Sequence, residues 1–205
     1  MSLTEQIKKI KESSKKRNFN QKYDLIIVLK DINLKKAENK IDEILILPKK
    51  TGKPTSISLF SDSAKKIEDC EIIKGEQIEK LSKNKKELKK LIYQTTIFLS
   101  EPKLMPIVGK HLGKFLAPIG KMPKPVLGDI IKMANDYKNG VKIEVKKQPM
   151  IQITVGSENI KEEDVTENIT TILNFLKIKL PKGKNNISKV YLKLTMGHPT
   201  KLEGW

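Results

Sequence analysis

Apolar positions along the chain keep two rhythms, and the places where one gives way to the other outline the fold. Leu3, Ile7 and Ile10 fall at i, i+4 and i+7, and Ser2 and Glu5 have capping-box spacing, which predicts an amphipathic helix whose other face is lysine. After Lys15-Lys16-Arg17-Asn18-Phe19-Asn20, the apolar run from Tyr23 to Leu29 predicts a strand, and Ile41 to Leu47 predicts a second one ending at Pro48. Lys49-Lys50-Thr51-Gly52-Lys53-Pro54 then has the charge, Gly and Pro of a connector.

From Thr55 to Lys147 short strands alternate with helical stretches, the pattern of an α/β unit with a mostly parallel sheet. Ser56–Phe60, Thr95–Leu99 and Val141–Lys146 are the expected strands. Between them lie a lysine-rich helix carrying Leu81, Leu88, Leu91 and Ile92, and a helix from Val126 to Lys138. The latter aligns Val126, Leu127, Ile130, Ile131, Ala134 and Tyr137, starts after Pro125 and stops at Asn139-Gly140. The last segment predicts a strand Met150–Val155, a turn at Gly156-Ser157, and a helix with Val165, Ile169, Ile172, Leu173 and Leu176 on one face. Glu162, Glu163 and Asp164 occupy the first turn of that helix, and Pro181 and Gly183 follow its end. A final strand alternates Val190, Leu192, Leu194 and Met196 against Lys189, Tyr191, Lys193 and Thr195, so one face is core and the other a polar platform.

Residues 1–53 and 148–205 each supply too few elements for a domain, whereas 54–147 hold a complete α/β pattern. The economical reading is one α+β domain built from both chain ends, with an α/β domain inserted at 54–147. A chain of 205 residues is long enough for one or two modest cores.

Charge changes this picture most. Lys and Arg number 41 against 24 Asp and Glu, a net charge of +17, and the excess is spread over all three segments. Such a surface attracts polyanions through phosphate neutralisation and counterion release, which favours nucleic acid as partner. Arg17 is the only arginine, so the attraction comes from point charges that carry little base specificity. The single thiol, Cys70, cannot form an internal disulfide, no apolar leader follows Met1, and no apolar run is long enough to span a membrane. A cytoplasmic location without membrane contact is expected.

Candidate catalytic chemistry is thin. Gly109-Lys110-His111-Leu112-Gly113-Lys114 has three residues between its glycines where a phosphate loop needs four, and Phe115 stands where Ser or Thr is required. His111 and His198 lack zinc-ligand spacing, and Cys70 sits between Asp69 and Glu71, whose charges disfavour a thiolate. No catalytic residue, metal site or cofactor is therefore expected. The rival to a binding protein, an α/β enzyme acting on RNA or a phosphorylated substrate, would need convergent titratable residues that the middle segment does not display.

Three separated motifs carry a resemblance: Arg17-Asn18-Phe19, Leu116-Ala117-Pro118-Ile119-Gly120-Lys121-Met122-Pro123-Lys124-Pro125, and Thr195-Met196-Gly197. With them the chain resembles, over nearly its whole length, the family of the universal ribosomal large-subunit protein one, the protein of the mobile stalk beside the tRNA exit site. Met122-Pro123-Lys124-Pro125-Val126 and Asn39-Lys40-Ile41-Asp42-Glu43 are similar to its archaeal form.

The resemblance implies a split α+β RNA-binding domain with an inserted Rossmann-like α/β domain on two hinges. It implies a monomer within the ribosome that binds large-subunit ribosomal RNA and assists release of deacylated exit-site tRNA; several members also repress translation of their own mRNA. Carried over by position, the RNA-binding strip is Phe19, Lys22, Asp24, Thr195, Met196 and Gly197, with Gln152 and Lys189 at flanking positions. The chain departs from the family at Ala117, Ile119 and Lys50, and at His198-Pro199 after the last motif. Within that motif, Gly197 would let backbone approach RNA through unusual dihedrals, with backbone amides and the Thr195 hydroxyl meeting phosphate or 2′-hydroxyl groups. Met196 reads either as an RNA contact or as the last inward residue of its strand, and Phe19 either as a stacking ring or as a cap on the core edge.

Overall fold

The computed structural model describes residues 2–34, 39, 41–52, 55–62, 70–126, 128, 130–145 and 148–204. Lys40, Lys53, Pro54, Asp69, Leu127, Lys146 and Lys147, all used in the expectations above, lie outside the described residues, as does the side chain of Ile131. In chain order the elements are α1 (Leu3–Ser13), β1 (Lys22–Leu29), β2 (Ile41–Ile46), β3 (Ile57–Phe60), β4 (Cys70–Ile73), α2 (Gly75–Lys83), α3 (Lys85–Gln94), β5 (Ile97–Ser100), α4 (Met105–Leu116), β6 (Lys124–Pro125), α5 (Ile130–Lys138), β7 (Gly140–Val145), β8 (Met150–Ser157), α6 (Glu162–Lys179), β9 (Ile187–Leu194) and β10 (Thr200–Lys201). The result is a mixed α/β protein. Its backbone contacts group 1–53 with 139–205, and 54–138 by themselves.

In the first unit, the capping box at α1 forms in both directions: the Glu5 amide donates to Ser2 Oγ at 3.3 Å and the Ser2 amide to Glu5 Oε2 at 3.1 Å. A four-stranded antiparallel sheet has the order β10-β9-β1-β8, with β1 paired on both sides. Strict alternation along β1 buries Tyr23, Leu25, Ile27 and Leu29 under α1 and α6 and leaves Lys22, Asp24, Ile26 and Val28 on the other face. The first turn of α6 carries Glu162, Glu163 and Asp164 and its last turn Lys177 and Lys179, each charge complementing the adjacent end of the dipole. Glu162 accepts Lys11 Nζ at 2.8 Å, which ties α1 to α6 and holds the carboxyl below its ordinary range. Fully buried Asn168 accepts the Lys49 amide at 3.1 Å and donates to the Val155 carbonyl at 2.9 Å, fastening the end of the first segment to α6 and β8.

Two expectations about this unit fail. The strand expected at Val141–Lys146 forms as β7, but it pairs antiparallel with β2, Ile41 opposite Val145, rather than joining the middle sheet. Ile143 and Val145 are buried in the same core as β1 and α6, so the second stretch of this unit begins near Asn139 rather than at 148. Gly156 and Ser157 make no turn; they extend β8 opposite Tyr23 and Lys22 past a bulge.

The second unit has an all-parallel sheet in the order β4-β3-β5-β6, and every residue of β3 and β5 is buried, as a sheet covered on both faces requires. Phe60 and Phe98 stack at 5.8 Å within a cluster containing Ile78 of α2, Leu88 and Leu91 of α3, and Val108, Leu112 and Leu116 of α4, while α5 packs on β3. The lysine-rich helix is two helices that meet at Asn84, whose side chain caps the second by accepting the Glu87 amide. The helix expected to begin after Pro125 begins at Ile130. Pro125 instead lies in β6, and the Val126 amide bonds the Ser100 carbonyl at 3.0 Å. The stretch weighed as a phosphate loop is the interior of α4, and the sequence reading missed both α4 and β4.

Candidate nucleic-acid interface

The open face of the antiparallel sheet is arranged in rows by the strand register. Beyond Lys22, Thr154, Asp24 and Lys193 form the first row that runs across β8, β1 and β9. Next come Gln152, Ile26, Tyr191 and Lys201, and then Met150, Val28 and Lys189. Asp24 Oδ1 accepts the Thr154 hydroxyl at 3.1 Å, so the acid is held within its row. Lys193 Nζ, opposite Asp24, donates to the Thr195 carbonyl at 3.2 Å.

Phe19, Lys22, Asp24, Thr195, Met196 and Gly197 thus gather at one end of this face. Gln152 lies one row further and Lys189 two. At ~3.4 Å per residue, Lys189 stands about 14 Å from Lys193 along β9, well away from the motif end.

β9 ends at Leu194, and the chain then turns, the Gly197 amide donating to the Leu194 carbonyl at 2.8 Å. Met196 therefore never becomes an inward strand residue and is 61% exposed. Phe19, at 51%, is outside the core as well. Both side chains, whose placement the sequence left open, are therefore exposed and apolar.

The expected use of backbone donors needs correction. Gly197 is not among the residues with positive φ, so no unusual dihedral is required of it. Its amide is spent on Leu194, the Met196 amide donates to Gln21 Oε1 at 3.3 Å, and Thr195 Oγ1 accepts the Lys22 amide at 3.0 Å. These donors shape the turn instead of facing solvent. What glycine supplies at 197 is room: a Cβ there would lie 3.1 Å from Ser14 Oγ and 3.4 Å from Leu194 Cβ, a tight contact that the serine side chain would have to yield to.

Beside the turn is a recess of about 380 Å³ lined by Ser13, Ser14, Lys15, Arg17, Gln21, Met196, Gly197, His198 and Thr200. Among the described residues no carboxylate lines it, and it holds the chain's one guanidinium together with an ammonium and an imidazole. That charge and shape suit a phosphate and its sugar. Sequence reasoning missed Ser14 and Gln21. Buried Gln21 bridges the two motifs, accepting from Met196 and donating to the Lys15 carbonyl at 3.2 Å. Nothing in local periodicity marks it, because its partner lies 175 positions away.

The model of the ribosomal protein L1p/L10e family matches residues 8–198. The chain belongs to this family. It is 38% identical over 202 residues to the large ribosomal subunit protein uL1 of Methanothermobacter thermautotrophicus, covering 95% of each chain. With the protein of that name from Methanocaldococcus jannaschii it shares 36% over 208 residues, 98% of this chain and 95% of the relative. With that from Thermococcus kodakarensis it shares 34% over 209 residues, 98% and 96%. The family match spans all three motifs and both units, and membership of a ribosomal-protein family leaves the rival enzyme reading without support. Among the described residues no helix is long and apolar enough to cross a membrane.

Proposed function

We propose that this protein is a non-enzymatic, structural constituent of the large ribosomal subunit, acting in the cytoplasm, that binds large-subunit ribosomal RNA through the motif end of the open sheet face. The observation that carries the reading is the coincidence of family motifs with physical exposure: Met196 stands out of the core at the recess holding Arg17, Lys15 and His198, and Phe19, two residues beyond Arg17, is exposed as well. In this reading Arg17 and Lys22 supply phosphate contacts, Phe19 and Met196 cover sugar or base, and Asp24, Thr195, Gly197 and Gln21 fix the shape that they present. Gln152, Lys189 and Lys193 extend the contact along the sheet. The first unit is then the RNA-binding domain, split around an inserted Rossmann-like domain, and at the mobile stalk the protein assists departure of deacylated tRNA from the exit site. A messenger RNA folded like the ribosomal target would compete for the same strip, which is the physical basis on which the protein represses its own translation.

The test is binding of the full chain to a large-subunit RNA fragment and to an unrelated RNA of equal length, across ionic strength, alongside co-sedimentation with large subunits. A specific complex whose log affinity falls with log salt by up to about 0.9 per neutralised phosphate is expected. Equal affinity for the two RNAs, or affinity independent of salt, would refute it.

A further inference from the structure

Helix α3 carries a feature that the interface in the first unit does not use. Its buried side is Leu88, Leu91 and Ile92. Opposite, at i, i+3, i+4 and i+7, stand Lys86, Lys89, Lys90 and Tyr93, all exposed, and Tyr93 is 85% exposed.

A tyrosine ring so exposed is available for stacking, an apolar body with a polar tip of the kind enriched at interfaces. Its ring faces are free: among the described residues the cation–π contacts are Lys114 over Phe115 and Lys179 over Phe175. Lys85, Lys86, Lys89 and Lys90 form no ion pair among the described residues.

In the first turn of α3 Lys85 and Lys86 stand beside Glu87, and its last turn has no basic residue, whereas α6 carries acids alone at its start and lysines at its end. At the C-terminal end of α3, Lys121 Nζ donates to the Ile92 and Thr95 carbonyls at 2.6 Å each, covering the negative pole that would repel a phosphate beside Tyr93.

We propose that the outer face of α3 is a second RNA-contact surface, with Lys86, Lys89 and Lys90 engaging successive phosphates and Tyr93 stacking on an unpaired base. The combination is a charged track with an aromatic platform, the means by which single strands and loops are held without sequence preference. Charge complementarity decides for RNA over an apolar partner, because the residues sharing the helix face with Tyr93, at i−3, i−4 and i−7, are lysines and not aliphatic side chains.

Fluorescence anisotropy of the full chain with a labelled 20-nucleotide single-stranded oligoadenylate tests this. Lys86→Gln/Lys89→Gln/Lys90→Gln should lower the log-log salt slope by up to about 2, at about 0.7 per phosphate on a single strand. Tyr93→Ala should weaken binding about fivefold or more at an unchanged slope, while Tyr93→Phe, which keeps the ring, retains affinity. Lys177→Gln/Lys182→Gln/Lys184→Gln removes the same charge elsewhere and should change the slope by less. Thermal midpoints close to the parent's confirm folding. Equal losses from the two lysine triples, or Tyr93→Ala binding like the parent, would overturn the proposal. The ribosomal fragment complex of the first unit is measured separately, so either reading can fail alone.

Discussion

Substitution at Gly197 separates recognition from folding. A Cβ at this position meets Ser14 Oγ at 3.1 Å and two Leu194 atoms at 3.4 Å, and φ lies outside the left-handed region, so alanine brings a tight contact and no backbone strain. The Ser14 hydroxyl, bonded to the Ile10 carbonyl at 2.7 Å, has to give by a few tenths of an ångström. That cost is offset by the ~0.4–1 kcal/mol that Gly→Ala gains through the unfolded chain, so Gly197→Ala should change stability by less than about 1 kcal/mol. Gly197→Val adds two methyl groups beside a recess of about 380 Å³ whose walls Met196, His198 and Arg17 are not core residues. Folding should survive this as well, while a phosphate or sugar loses its place, at about 2 kcal/mol or roughly thirtyfold in specific affinity. Non-specific binding and the salt slope should stay near the parent values, since no charge is removed. Thermal unfolding and titration with both RNAs read the outcome. Adding Ser14→Ala should relieve the contact without restoring affinity. If Gly197→Val lost stability and all RNA binding in parallel, or if it bound the ribosomal fragment like the parent, the recess would not be the recognition site.

Lys193→Ala removes a charge from the first row of the sheet face and should weaken specific and unrelated RNA alike, lowering the salt slope by up to about 0.9; an unchanged slope would exclude that lysine from phosphate contact. A chain joining 1–53 to 139–205 through a short Gly/Ser linker should fold and keep most specific affinity, whereas starting the second stretch at 148 should fail in thermal unfolding because β2 then loses its partner β7. Tyr23→Phe should stabilise the protein by about 1–3 kcal/mol, because the Tyr23 hydroxyl is buried with no hydrogen-bond partner among the described residues. Burial first, then the charges of Glu162 and Glu158, push that phenol up to about 12 from 10.0. The parent should therefore hold its stability below pH 10 and lose about 1.4 kcal/mol per unit between 10 and 12, as the unfolded phenol ionises and the folded one does not. Denaturant titrations of Tyr23→Phe should lack that part of the alkaline decline.

What could be read from sequence follows from the range over which each signal acts. The α1 capping box, the alternation of β1 and the acidic first turn of α6 are local, and each residue's role is set within a few positions of it. The strand at 140–145 was legible as a strand, but its partner was not, because Ile143 and Val145 would satisfy either sheet and only packing against the core of the first unit chooses β2. Helix α4 was hidden by composition: Pro106, Gly109 and Gly113 are poor helix residues, yet Val108, Leu112 and Leu116 at i, i+4 and i+8 bury a continuous stripe, and tertiary burial overrides propensity.

The interface divides in the same way. Phe19 and Thr195-Met196-Gly197 were recognisable as motifs, whereas their chemistry was not: without the turn geometry, the amides of Met196 and Gly197 look available for phosphate, and with it they are internal supports. Gln21 and Lys22 brace the turn from the other end of the chain, through hydrogen bonds between residues 175 and 173 positions apart. An RNA site built on that bridge exists only when both chain ends are folded together. On the proposed function, that dependence predicts that partial unfolding at either end would remove recognition and leave non-specific, lysine-based attraction behind.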